Sequence, residues 1–271
     1  MASNDEVSLR QYDESRPPPG SGGRVSVVMT FHAEGCIAHW ALLGFERMRI
    51  VAESEGLQVQ LIAVLDRADE RTRQMVESHS ALREGDQVLM SQHGDPGLAR
   101  NHGIEHSSGE WIGILDGDDY CTANWIAESV RVLRSRAQVV VHTDYLLTFG
   151  GRWELTRQTD QLAGGGSLET CFKHHLWAST VFARRDLFDQ CPYRQANMEY
   201  NGFGYEDWDW SLCVLAAGYK HTTAPGTALF YRRKSVGSRQ NLGLQQQVVV
   251  QPGPFFAASL WGNGERNEVE S

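Results

Sequence analysis

Short apolar runs alternate with stretches of helical spacing through the first half of the chain. Val25-Ser26-Val27-Val28-Met29 is a β-branched run suited to a buried strand. From Ile37 to Ser54 the residues Ile37, Trp40, Ala41, Phe45, Met48, Val51 and Ala52 recur at helical spacing. Val59 to Leu65 predicts a second strand that stops at Asp66, and Asp69 to Ser80 a polar helix. Gln87 to Met90 predicts a third, short strand. Pro96 to Ser108 predicts a helix, with proline in its first turn and Gly109 just past its end. Trp111 to Leu115 predicts a fourth strand that stops at Asp116. Thr122 is placed to cap a helix bearing Trp125, Ile126, Val130 and Leu133 on one face, and Val139-Val140-Val141 predicts a fifth strand. This alternation predicts an α/β fold, a mainly parallel sheet with helices on both faces.

The second half is less regular. Gly164-Gly165-Gly166 reads as a loop, Thr180 to Ala183 as a strand, and Trp210, Cys213, Val214 and Ala217 mark one face of a helix ending at Gly218. Before the first strand, proline, glycine, serine and charge dominate and no periodicity is present. The expected organisation is a flexible leader over residues 1–23, one domain over 24–243 and a tail over 244–271. The tail's apolar stretch from Val248 to Trp261 has three candidate resting places: the domain itself, which is preferred, a partner, or a membrane surface.

Composition narrows the function. The net charge is −9 over 271 residues with no long basic run, which argues against nucleic-acid binding. No apolar run approaches the roughly 18 to 20 residues of a membrane span, and residues 1–24 have no apolar signal-peptide core. The five cysteines are scattered with no CxxC pair, so neither a zinc site nor a disulfide framework is favoured. A reduced, cytoplasmic protein is the expectation.

Two acidic clusters carry the chemistry. Leu115-Asp116-Gly117-Asp118-Asp119-Tyr120 sets three carboxylates where a parallel strand emerges, the edge at which open α/β sheets bind ligands. Such a group repels itself unless a cation or donor offsets it, and a hard divalent ion does so well. An acidic turn chosen for its geometry is the plain alternative. The second cluster, Gly202 to Trp210, sets Glu206, Asp207 and Asp209 among aromatic residues at a helix start. Capping explains one acid there. Aromatic rings beside a carboxylate also suit a sugar, and an ionised Asp can take the proton of an attacking hydroxyl.

These clusters, in this order and this far apart, resemble the GT-A-fold glycosyltransferases, specifically the inverting family 2. The most specific match runs through Gly97-Leu98-Ala99-Arg100-Asn101-His102-Gly103, Ser108-Gly109-Glu110-Trp111-Ile112 and Leu115 to Asp119. Gly204-Tyr205-Glu206-Asp207-Trp208-Asp209 resembles the family's ED motif, and Tyr231-Arg232-Arg233 with Ser235 and Ser238 its arginine-bearing closing segment. Departures are Arg67-Ala68-Asp69 in place of a Gly-Ser turn, Phe31-His32 in place of Tyr-Asn, and Lys234 at a histidine position.

The resemblance implies a single-domain, Rossmann-like GT-A fold. It implies an enzyme that moves a sugar from a nucleotide-diphosphate donor to a hydroxyl acceptor, whether a glycan, a lipid-linked molecule or a small molecule. Asp207 would be the catalytic base. Asp116 and Asp118 would hold a divalent metal, Mn²⁺ or Mg²⁺, and Asp66, Arg100, Asp116 and Arg232 would bind the donor. Glu206, Trp208 and Asp119 would stand at the acceptor site or in secondary positions. Two other readings stay open: a catalytically idle domain that binds a nucleotide sugar or a partner, and another metal-dependent nucleotide enzyme such as a nucleotidyltransferase. Against the latter, Thr30 to Gly35 lacks the Gly-rich phosphate loop and lysine usual in that class.

Overall fold

Strand β1, Arg24–Phe31, lies inside a mixed sheet, nine-stranded among the described residues, with β2 and β4 as its neighbours. The computed structural model describes residues 22–151, 153–196, 201–233 and 247–257. The expected leader falls almost wholly outside these residues, as do Lys234, Ser235, Ser238 and the last part of the tail.

The first four strands are those predicted. Strands β2 (Gln58–Asp66), β3 (Gln87–Ser91) and β4 (Trp111–Asp116) join β1 in the parallel order β3-β2-β1-β4. Their register aligns Thr30 with Asp116 and Asp66 with Ser91, so the polar ends of all four reach one edge together. Connecting helices α1 (Ile37–Ser54), α2 (Glu70–Glu77) and α3 (Pro96–His106) cover the faces, and apolar clusters fill both sides of the sheet. Asp69 caps α2 by accepting from the Thr72 amide, so the departure after Asp66 supplies a helix start. Gly103 lets α3 lie against the sheet, since a Cβ there would stand 2.4 Å from Val28.

The other half corrects the expectation of a mainly parallel sheet. Strand β5 is the two-residue Tyr120–Cys121, and helix α4 is Trp125–Ser135. Thr122 does not cap α4; its hydroxyl accepts from the Ala228 amide instead. Strand β6, Val139–Phe149, runs eight residues past the predicted valines and pairs with β7, Glu154–Arg157. Helix α5 (Leu168–Lys173) precedes β8 (Val181–Arg184), which runs antiparallel to both β4 and β6. After α6 (Arg185–Gln190) and α7 (Glu206–Ala216), β9 (Lys220–Arg232) pairs parallel to β6 and antiparallel to β5. Strand β8 follows α5 in the chain and enters between β4 and β6 against the direction of both.

The described part of the tail rests on the domain. Phe255 is buried with Cys171, Trp177, Leu212 and Leu215, the Gly204 amide bonds the Val249 carbonyl at 3.1 Å, and Arg194 bonds the Pro252 carbonyl at 2.9 Å. No helix among the described residues is long and apolar enough to cross a membrane.

Candidate active site

The polar strand ends open into a cavity of about 800 Å³, within the range usual for ligand sites. Both acidic clusters reach it: Asp116, Asp118 and Asp119 from the end of β4, and Glu206 and Asp207 from the start of α7. Asp66, Arg100 and Arg232 also line it.

Arg100 joins the two clusters. Its side chain rises from α3 into the interior, where only 2% of the residue is exposed. One guanidinium nitrogen bonds Asp116 Oδ1 at 2.9 Å and the other Glu206 Oε1 at 2.9 Å. Burial opposes its charge, but the carboxylates of Asp116 and Glu206 outweigh burial and hold it protonated, well above the ordinary arginine range. Its guanidinium also stands 5.4 Å from the Tyr193 ring centroid. Two segments some ninety residues apart thus share one cation.

The turn after β4 is tightly set. A Cβ on Gly117 would fall 2.3 Å from the Phe31 ring, so this position admits glycine alone and seats the turn against β1. Asp116 Oδ2 accepts from Ser179 at 2.7 Å, a residue that continues the antiparallel register of β8 past Ile114 and Val181. Asp119 is buried and its Oδ1 accepts from the Arg232 amide at 2.8 Å, tying the turn to the end of β9. Asp118, half-buried, faces the cavity. At the far wall Asp66 is buried and accepts from the Ser91 hydroxyl and the His93 amide, each at 2.7 Å.

Asp207 sits in the first turn of α7. Its Oδ1 accepts from the Trp208 amide at 2.9 Å, and His175 Nε2 stands 3.6 Å from Oδ2. The His175 ring stacks on Trp208 at 5.6 Å. Trp208 itself stands behind this wall, its indole N–H bonding the Cys171 carbonyl at 2.9 Å. The residue before the helix, Tyr205, has φ 56°, a left-handed conformation that an aromatic residue adopts only when its surroundings impose it. Asp209, the third acid of the cluster, points away and forms a two-point ion pair with Arg194.

Several wall residues had no signal in the sequence. Ser179 and His175 come to the site only through the pairing of β8. Tyr231, from the end of β9, is held in its neutral form, first by burial and then by the carboxylates of Asp119 and Asp116, and can donate to an anion. The three other arginines on the wall are partly engaged: Arg157 with Asp144 at 2.8 Å, Arg233 with Glu154 at 3.3 Å, and Arg232 over the Phe149 ring at 4.6 Å. Cys121, beside the first cluster, is buried and its thiol is pushed far up by that burial, so it is no nucleophile.

Trp177 lines the cavity and heads a stack with His221 and His142 behind it, the Trp177 and His221 centroids 4.0 Å apart. His142 and His221 share one hydrogen bond of 2.8 Å. Burial pushes His221 down to about 3, and His142 well below its ordinary value by burial and by His221. Both therefore fold neutral but take up protons in the unfolded chain below an ordinary value near 6.5. The unfolded state then binds more protons, so stability is full above pH 6.5 and falls on acidification toward pH 3. His221 removes about 1.4 kcal/mol per pH unit in that window, and His142 acts in the same direction. Urea unfolding between pH 6 and 4 should show a slope smaller by about that amount in His221→Gln. An unchanged slope would mean that the pair does not stay neutral in the folded protein.

A doubly flanked α/β sheet with carboxylates at the strand ends and a second acid at the start of α7 defines a GT-A fold. The chain belongs to glycosyl transferase family 2: the family model matches residues 26–192, more than half of it. The matched segment holds the first acidic cluster and Arg100 and ends before Glu206 and Asp207. No curated protein sequence matches the chain significantly. Among solved structures, S. aureus TarS 1-349 in complex with UDP-GlcNAc superposes with a TM-score of 0.63 at 15% identity, over 80% of this chain and 60% of that one. The same protein in complex with UDP gives 0.60 at 15% identity, over 78% and 61%. A longer TarS structure gives 0.59 at 16% identity, over 78% of this chain and 37% of the other. These likenesses bear on the fold, and the chain spans only about three-fifths of the length of TarS 1-349.

Proposed function

We propose that this member of the family is an active glycosyltransferase, inverting and metal-dependent, that moves a sugar from a nucleotide-diphosphate donor to an acceptor hydroxyl. The observation that carries the reading is Arg100, which brings Asp116 and Glu206, and with Glu206 the neighbouring Asp207, to one cavity. The complexes of the TarS relatives with UDP and UDP-GlcNAc support a nucleotide-sugar donor. The acceptor would be a glycan, a lipid-linked molecule or a small molecule.

In this reading the acceptor oxygen attacks the anomeric carbon from the face opposite the diphosphate. The new carbon–oxygen bond forms as the bond to the diphosphate breaks, and the acceptor's proton passes to the Asp207 carboxylate. His175 and the Trp208 amide hold that carboxylate in place. Arg100 keeps Asp116 and Glu206 from repelling each other. Asp66 takes the nucleotide end of the donor, Arg232 and the neutral phenol of Tyr231 the diphosphate, and holding both substrates in line supplies much of the acceleration.

The walls fit a hard divalent cation. Among the described residues, eight carboxylates and four guanidiniums line the cavity, an excess of negative charge that would repel a diphosphate by itself. Their oxygens are the donor set of Mg²⁺ or Mn²⁺, which Asp118 and Asp116 would hold. When bound, such an ion neutralises charge on the leaving diphosphate. A reducing, cytoplasmic setting agrees with five free thiols.

A screen of nucleotide sugars for nucleoside-diphosphate release, with and without Mn²⁺, tests the reading. Release that requires metal and an acceptor is expected. Donor binding without turnover would favour the idle domain, and pyrophosphate as product a nucleotidyltransferase. Asp118→Ala should abolish metal-dependent donor binding and leave the melting temperature unchanged, because it removes a cavity-facing group. Unchanged donor affinity in Mn²⁺ by calorimetry would remove Asp118 from the metal site.

A further inference from the structure

We propose that α3 carries a metal site on its outer face, apart from the cavity, formed by His102, Glu105 and His106 and suited to a borderline transition ion such as Zn²⁺. His102 and His106 stand one helical turn apart and Glu105 lies between them in sequence, so the three side chains share one face. One ligand atom from each lies within 4.8 Å of the other two. Zinc bonds of about 2.0 to 2.2 Å need ligand atoms roughly 3.4 Å apart, a gap that small rotations of half-buried or exposed side chains close. None of the three lines the cavity.

A second observation points to a ligand. His106 Nδ1 lies 2.8 Å from the His102 carbonyl, and a carbonyl only accepts. Nδ1 therefore carries the proton, and the Nε2 lone pair is left for an ion. A backbone carbonyl on the other ring nitrogen is the outer-shell bond that metal-ligating histidines make. The His102 and His106 rings meet edge to face at 4.6 Å, and the exposed His93 ring stands 5.9 Å from His102. Two imidazoles and one carboxylate favour Zn²⁺ over Mg²⁺, which prefers oxygen and keeps its water.

The same helix carries Arg100 on its buried side. An ion held across its last turn would brace the helix that positions Arg100, and this role does not rest on the sugar-transfer reading.

The test titrates the metal-stripped full chain with Zn²⁺ against a chromophoric chelator. Millimolar Mg²⁺ occupies the carboxylates of the cavity. One Zn²⁺ per chain and a raised melting temperature are expected. His102→Ala and His106→Ala should each weaken binding by at least about tenfold, while Asp118→Ala keeps full affinity. Metal-free melting temperatures equal to wild type verify that the variants fold, and His106→Asn stands in if His106→Ala does not. Absence of Zn²⁺ uptake would overturn the proposal, as would full affinity in the His102/His106 double variant, which would put the ion elsewhere, such as at the exposed Cys36.

Discussion

Asp207→Asn should lower single-turnover sugar transfer by about 10² to 10⁴-fold, with donor affinity and melting temperature close to wild type. The substitution keeps the size of the side chain and an oxygen to accept from the Trp208 amide. It removes the negative charge that receives the acceptor's proton. Donor affinity should hold because Asp116, Asp118, Asp66 and Arg232 stand on other elements of the cavity and are left intact. The measurement is transfer to a true acceptor in a single turnover, run beside donor calorimetry. Near-normal transfer would take Asp207 out of the mechanism. Glu206 and Asp209 are poor replacements, since Arg100 and Arg194 already hold them. A fall in donor affinity matching the fall in rate would instead make Asp207 a binding residue.

Arg100→Met should produce the largest loss of stability of any single change at the site, about 3 to 5 kcal/mol. Methionine fills most of the volume, so packing is largely kept. What is lost is the cation that bonds both Asp116 and Glu206, whose side chains are only 25% and 13% exposed. Left facing each other without it, they repel, and each has lost a charged donor in a medium that solvates it poorly. Adding Glu206→Gln should recover part of the loss, because one of the two stranded charges is then gone. Denaturant unfolding of the two single variants and the double variant measures this coupling. Strict additivity would mean that Arg100 and Glu206 do not interact in solution as they do in the structure.

The two predictions draw on different levels of information. That Asp207 stands at a helix start was legible in the residues, while its expected role as base came from the resemblance to the ED motif. The resemblance gave Arg100 a place at the donor, and nothing in Ala99-Arg100-Asn101 says that its side chain spans two clusters. Glu206 and Trp208 were expected at the acceptor site or in secondary positions; the Glu206 carboxylate bonds Arg100, and Trp208 stacks on His175 and bonds the Cys171 carbonyl.

The sequence by itself determined the parallel half of the sheet and the position of its acids. Strands β1, β2 and β4 are largely buried on both faces, so they are written as continuous apolar runs, and a run that ends in Asp, as in β2 and β4, marks the strand's exit to the cavity. Helices α1 and α3 announce themselves through period and capping residues in the same local way. Only the tertiary structure decided the rest. Strand β9 was not recognised, because Thr222, Thr223, Gly226 and Thr227 interrupt its apolar residues; its buried threonines are satisfied by partners distant in sequence or by turns, as where Thr227 serves both the Asp144 amide and the Ala224 carbonyl. The long extension of β6 has the same origin, since its outer residues are half-buried and stabilised mainly by pairing with β7 and β9. Ser179 reaches Asp116 through antiparallel register, and Arg100 reaches Glu206 through the packing of α3 beside α7. Local periodicity records which face of a segment is buried; which distant segment lies against that face is settled by sheet register and helix packing, and there the site is assembled.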